Sequence, residues 1–153
     1  MSKLWLNLIR KVMKTMKHIL LASHGTLASG LKNTLQIFMG PSDNIKAVCA
    51  YVDDSSDYLE DIKAFIKEHN NDDSIIFVDI YGGSVCQQVV KIMMDEGKSI
   101  PIVAQMNLPI VLSLALEEDD HSLKHIIELC AQAAPQVVAN EAPKEEDEDD
   151  FFS

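Results

Sequence analysis

Three short stretches carry side chains that could do chemistry. They are "SHG" at 23–25, "DIYGGS" at 79–84 and "QMNLP" at 105–109. An imidazole held through one ring nitrogen leaves the other free as a base or nucleophile. Asp79 is the carboxylate suited to hold His24, fixing its tautomer. Gly82 and Gly83 lead into Ser84 at a helix start, where backbone N–H groups and a hydroxyl can receive an anion. A carboxylate-held histidine beside an anion cradle suits transient phosphorylation of His24. Ser23 and Thr26 add hydroxyls, which serve equally well as turn or cap residues.

Other chemistries fit less well. A Ser–His–Asp hydrolase needs a G-x-S-x-G elbow, and the chain has none. The glycine pair lacks the lysine of a nucleotide-binding loop. No second ligand accompanies His24, so neither a metal nor another cofactor is expected. His69, His121 and His125 stand in acid-rich helical segments, where a solvated role is expected. Arg10 is the sole arginine, so a phosphoryl group would rest on backbone amides and hydroxyls rather than on a guanidinium fork within the domain.

The chemistry needs elements that bring these stretches to one edge. Apolar runs at His18–Ser23, Ile45–Tyr51, Ser74–Asp79 and Ile100–Ala104 read as strands. Helices are predicted over Thr26–Phe38, from Ser55 or Ser56 to about Asn70, and over Ser84–Met94. A short one begins within "MNLPIVLSLAL", and a last one covers Ser122–Ala133 until Pro135 stops it. In the first helix Leu27, Leu31, Leu35 and Phe38 are the expected inward stripe; in the second, Leu59, Ile62, Phe65 and Ile66. Strands spaced by helices of this length predict an α/β, doubly wound, mainly parallel four-stranded sheet with helices on both faces. Ligands of such sheets bind at the carboxyl ends of the strands, where all three stretches fall. "QVVAN" at 136–140 is a candidate extra strand.

With 153 residues, 47% of them hydrophobic, the chain can build one core. Its net charge is −11, unevenly spread. Residues 1–18 carry +5, and 141–150 carry −6. The acidic body argues against nucleic-acid binding. Cys49, Cys86 and Cys130 form no CxxC pair, which suits a reducing compartment, and a cytoplasmic location is expected. No apolar run approaches the ~20 residues of a membrane span. Three segments follow: a basic amphipathic extension or mis-assigned start at 1–17, the domain at 18–140, and an acidic tail at 141–153, expected to be disordered. The extension has the pattern of a weak membrane-surface segment.

The order strand–"SHG"–"LASGL", strand–"D-x-x-GGS"–helix and strand–"x-x-NLP"–helix resembles the enzyme IIA domain of the mannose/fructose/sorbose class of the bacterial sugar phosphotransferase system. The resemblance covers roughly 16–138. It implies that His24 is phosphorylated by the histidine carrier protein HPr and hands the phosphoryl group to a histidine of a IIB component. It implies Asp79 as the orienting carboxylate, and Ser84 with nearby amides as phosphoryl contacts. It also implies a homodimer that exchanges a C-terminal strand, and membrane association is expected only indirectly, through the IIC/IID permease, or weakly, through residues 1–17. The chain departs from the family in reading "GGSVCQ" for the usual "GGSPFN", and in placing Gln105 where a glycine is usual. The phosphoryl carrier of dihydroxyacetone kinases, which resembles "YDLGSA" at the third strand, is the alternative reading. A non-catalytic regulatory domain is the third.

Overall fold

The computed structural model describes residues 2–8, 17–117 and 122–139. The rest of the basic extension, His121, Asn140 and the acidic tail lie outside the described residues. Four strands are β1 (His18–His24), β2 (Ile45–Ala50), β3 (Ser74–Val78) and β4 (Ile102–Val103). Five helices follow them in the chain: α1 (Leu27–Met39), α2 (Asp57–Glu68), α3 (Ser84–Asp95), α4 (Leu108–Leu116) and α5 (Leu123–Gln132). Residues 3–8 are helical as well.

The sheet is parallel throughout, in the order β2-β1-β3-β4. This is the doubly wound arrangement expected from the alternation of elements. Ile19, Leu21, Ile75 and Phe77 face one side and pack with α1, α4 and α5 through Leu35, Ile110, Leu114 and Ile126. Leu20, Ala22, Ile76 and Val78 face the other and pack with α2 and α3 through Ile62, Phe65, Ile66, Val85 and Val89. Burying each such Ile, Leu, Val or Phe is worth roughly 1.5–3 kcal/mol. Because both faces of β1 are apolar, side-chain alternation does not set its register. Its polar ends do, since a two-residue slip would carry His24 into the core without partners.

Several details differ from the sequence reading. In α1 the inward stripe is Ala28, Leu31, Leu35 and Met39, one residue round from expectation at both ends. Leu27 and Phe38 are exposed. The helix is turned by its first residues: Ala28 N donates to the buried Ser23 Oγ at 2.8 Å, so Ala28 rather than Leu27 faces the sheet. Thr26, at the N-cap, makes no side-chain capping bond, and neither does Ser56 at the start of α2. β4 is two residues long rather than five. Pro101 has no N–H to give, although its carbonyl still accepts from Ile76 N at 2.9 Å.

Lys17, counted with the basic extension in the sequence reading, is buried, with Nζ 3.4 Å from the Leu114 carbonyl. Its charge belongs to the domain. His69 is not a plain surface residue: it stacks on His18 with ring centroids 4.1 Å apart, and burial with the neighbouring His18 lowers its pKa. His125 is half-buried and pairs with Glu117 at 3.3 Å. Residues 136–139 form no strand within the single chain, and Val137 and Val138 are almost fully exposed. Among the described residues no helix is long and apolar enough to cross a membrane.

Candidate phosphoryl-transfer site

The chain winds one way from β1 to β2 and the other way from β3 to β4, so β1 and β3 are neighbours at the point of reversal. Ala22 pairs with Val78 across them. The residues that continue these two strands therefore emerge side by side, and they include His24 and Asp79. In open α/β sheets this is the crevice in which ligands bind.

Asp79 is tied to His24 twice. Its Oδ2 accepts from the His24 backbone N–H at 2.7 Å and stands 2.9 Å from His24 Nδ1. Its Oδ1 accepts from Ile80 N at 2.9 Å. The side chain is only 7% exposed, and burial alone would raise its pKa. The backbone and ring donors of His24, with Ile80 N, outweigh burial and hold the carboxyl below its ordinary value. A carboxylate takes the Nδ1 proton as a hydrogen bond, so neutral His24 presents its lone pair at Nε2. The His24 side chain is 37% exposed, enough for a partner to reach.

Nε2 lies 3.0 Å from Ser84 Oγ, at the first residue of α3. The first-turn amides of a helix have no intrahelical acceptor and point outward from this end. The glycine pair makes the approach possible. Gly82 has φ +71, and a Cβ at Gly83 would come within 3.2 Å of the Ile80 Cβ. Gln87 fastens the loop, its Nε2 donating to the Gly82 carbonyl at 2.8 Å. Within the stretch "VCQ" that replaces the usual family "PFN", Val85 is fully buried on the inner face of α3, and Gln87 braces the loop.

The third stretch has a different task. Asn107 caps α4 by accepting from Ile110 N at 2.9 Å, and its amide donates to the Ala133 carbonyl at 2.8 Å. Gln105 and Met106 line a cleft of about 550 Å³ together with Asp79. Gln105 has φ +57, the left-handed conformation for which the family glycine is suited.

Sequence reasoning missed Tyr51. It follows β2, has φ +63, and is 52% exposed. That backbone conformation costs a non-glycine residue about 1–2 kcal/mol. Its ring stacks on His24 with centroids 5.4 Å apart and planes 27° from parallel. Its hydroxyl donates to Ser84 Oγ at 3.0 Å. The adjacent Ser84 and Tyr58 hydroxyls lower its pKa. Behind it stands Tyr58, ring centroids 5.4 Å apart, whose hydroxyl accepts from Gln88 Nε2 at 3.2 Å. The available signal was positional: "AYVDD" ends a strand at the same sheet edge as the other three stretches.

Fold and site together define a parallel, doubly wound α/β protein with a carboxylate-held histidine at its topological switch point. Residues 18–130 match the model of the EIIA-man family, the PTS system fructose IIA component, and the chain belongs to that family. It is thus of the IIA type of the sugar phosphotransferase system, a phosphotransferase component. It is similar to a Klebsiella pneumoniae subsp. pneumoniae protein assigned to a phosphoenolpyruvate-dependent sugar phosphotransferase system permease, with 29% identity and a TM-score of 0.63. The match covers 78% of this chain and 88% of that one. The fold also matches the PTS IIA protein associated with the fucose utilization operon of Streptococcus pneumoniae (22% identity, TM-score 0.65, 78% and 92% covered). A third match is the mannose/sorbose specific IIA subunit from Enterococcus faecalis (22%, 0.63, 82% and 98%). A search of the curated proteins finds no match for the chain.

Proposed function

We propose that the protein is a phosphoryl carrier, accepting a phosphoryl group on His24 Nε2 from phosphorylated HPr and passing it to a IIB component for sugar uptake. One observation carries this reading: Asp79 occupies Nδ1, while Nε2 faces a hydroxyl at a helix start on an exposed edge. In the transfer, the Nε2 lone pair forms the new N–P bond. The N–P bond of the donor histidine breaks, and that nitrogen recovers its electron pair. The Nδ1 proton stays in its hydrogen bond to Asp79, whose negative charge stabilises the cationic ring that results. Ser84 and the amides following Gly83 receive the phosphoryl oxygens, with Gly82 and Gly83 allowing their close approach. The carrier domain extends over 18–140. The phosphoryl donor and acceptor are proteins of the cytoplasm, so that is where this carrier would work.

The protein acts as a homodimer in this reading. Val137 and Val138, 96% and 93% exposed, supply an apolar segment, and β4, whose outer edge is unpaired among the described residues, supplies a short sheet edge to receive it from a second copy.

The test of transfer is incubation of the full chain with phosphoenolpyruvate, enzyme I and HPr, followed by intact mass. One added phosphoryl group, labile to acid and stable to base, is expected, and none in His24→Ala. Label that persists in His24→Ala, or sits on serine, would overturn the assignment.

A further inference from the structure

We propose that Tyr51 is a further catalytic residue: its hydroxyl, held by Ser84 before transfer, turns to the phosphoryl group on His24, while its ring shields the new N–P bond from water. The inference rests on the phosphoryl-carrier reading of His24.

The hydrogen bonds at the site run in one direction. Asp79 accepts the Nδ1 proton, so Nε2 must accept, and Ser84 is the group that donates to it at 3.0 Å. With its proton committed, Ser84 Oγ accepts from the Tyr51 hydroxyl, also at 3.0 Å. Tyr51, Ser84 and Nε2 thus form a relay with every donor aimed at the nucleophilic nitrogen. Bond formation to phosphorus consumes the Nε2 lone pair, so Ser84 loses its acceptor. The incoming phosphoryl oxygens replace it, and they carry negative charge. Both hydroxyls then have a stronger acceptor than either has before transfer. No proton has to leave the relay, because Nδ1–H and both O–H bonds persist throughout.

Position supports the same role. The half-exposed Tyr51 ring stacks on the imidazole of His24, whose side chain is 37% exposed to water. Its left-handed backbone is a strained conformation of the kind that collects at functional sites. Tyr58 and Gln88 form a second layer that holds the ring in place. A tyrosine left half-exposed adds little to the core, so packing does not account for this arrangement.

The test compares the full-length wild type, Tyr51→Phe, Ser84→Ala and the double variant. Phe keeps the ring and deletes only the hydroxyl. Each protein is phosphorylated with phosphoenolpyruvate, enzyme I and HPr, separated from the donors, and followed by intact mass at neutral pH. The loss of phosphoryl group to water should be about tenfold faster in Tyr51→Phe, as expected for one lost hydrogen bond to a charged group. Its 31P resonance should shift. Ser84→Ala should also decay faster, and the double variant less than the product of the two, since relay members are coupled. Wild-type decay and an unmoved 31P resonance in folded, His24-phosphorylated Tyr51→Phe would overturn the role of Tyr51 alone. A wild type that acquires no phosphoryl group would overturn the carrier reading and this inference with it, so the two failures appear in different proteins.

Discussion

Replacing Asp79 by Asn changes one oxygen to an amide and removes one charge. The site is built so that neither orientation of Asn restores it. Asp79 receives three donors, two from His24 on Oδ2 and one from Ile80 on Oδ1. If the Asn oxygen faces His24, its NH₂ is set against the Ile80 N–H. In the flipped orientation the NH₂ meets both His24 donors. Either way at least one donor faces the amide NH₂ instead of an acceptor, an exposed N–H of Ile80 or the part-buried donors of His24, and the cationic ring formed in transfer loses its counter-charge. Hydrogen bonds to charged groups contribute about 1.5–3 kcal/mol, so transfer from phosphorylated HPr should slow by roughly tenfold to a hundredfold. The assay is base-quenched intact mass against time, with folding checked by circular dichroism. A folded Asp79→Asn protein phosphorylated at the wild-type rate would refute the role of Asp79. The same substitution has a pH signature. Because the folded pKa of Asp79 is lowered, its contribution to stability is present above the unfolded carboxylate pKa and lost as pH falls through the folded value. Below about pH 4 the wild type should therefore lose more stability than the variant does. Parallel acid-unfolding curves would contradict the hydrogen-bonding account.

Gln105→Gly should raise stability by up to about 1 kcal/mol, read as a higher urea midpoint, because a left-handed residue is relieved of its Cβ; an unchanged or lower midpoint would show that the glycine's unfolded-state entropy prevails. Truncation after Pro135 removes Val137 and Val138 and should convert a sedimenting dimer into monomer or aggregate. A full chain that sediments as a monomer at micromolar concentration would rule out strand exchange.

The alternation of apolar runs with amphipathic segments was sufficient for the fold class, because strand and helix periodicity are local properties of the chain. It also placed "SHG" and "DIYGGS" at strand ends, since small and polar residues interrupt buried runs there. Neighbouring strands were not legible in that way. The order β2-β1-β3-β4, which brings His24 beside Asp79 across 55 residues of chain, depends on the direction in which each crossover winds. Packing also decided the one-residue turn of the α1 stripe and the burial of Lys17 under α4, where a lysine in a basic segment reads as a surface charge. Tyr51 shows the limit most clearly. Nothing in its sequence neighbours signals a left-handed backbone, and its partners, His24 and Ser84, are 27 and 33 residues away. Side chains that distant meet only when the sheet sets their strands side by side, so the histidine and its carboxylate could be read from motifs, whereas the tyrosine above them required the fold.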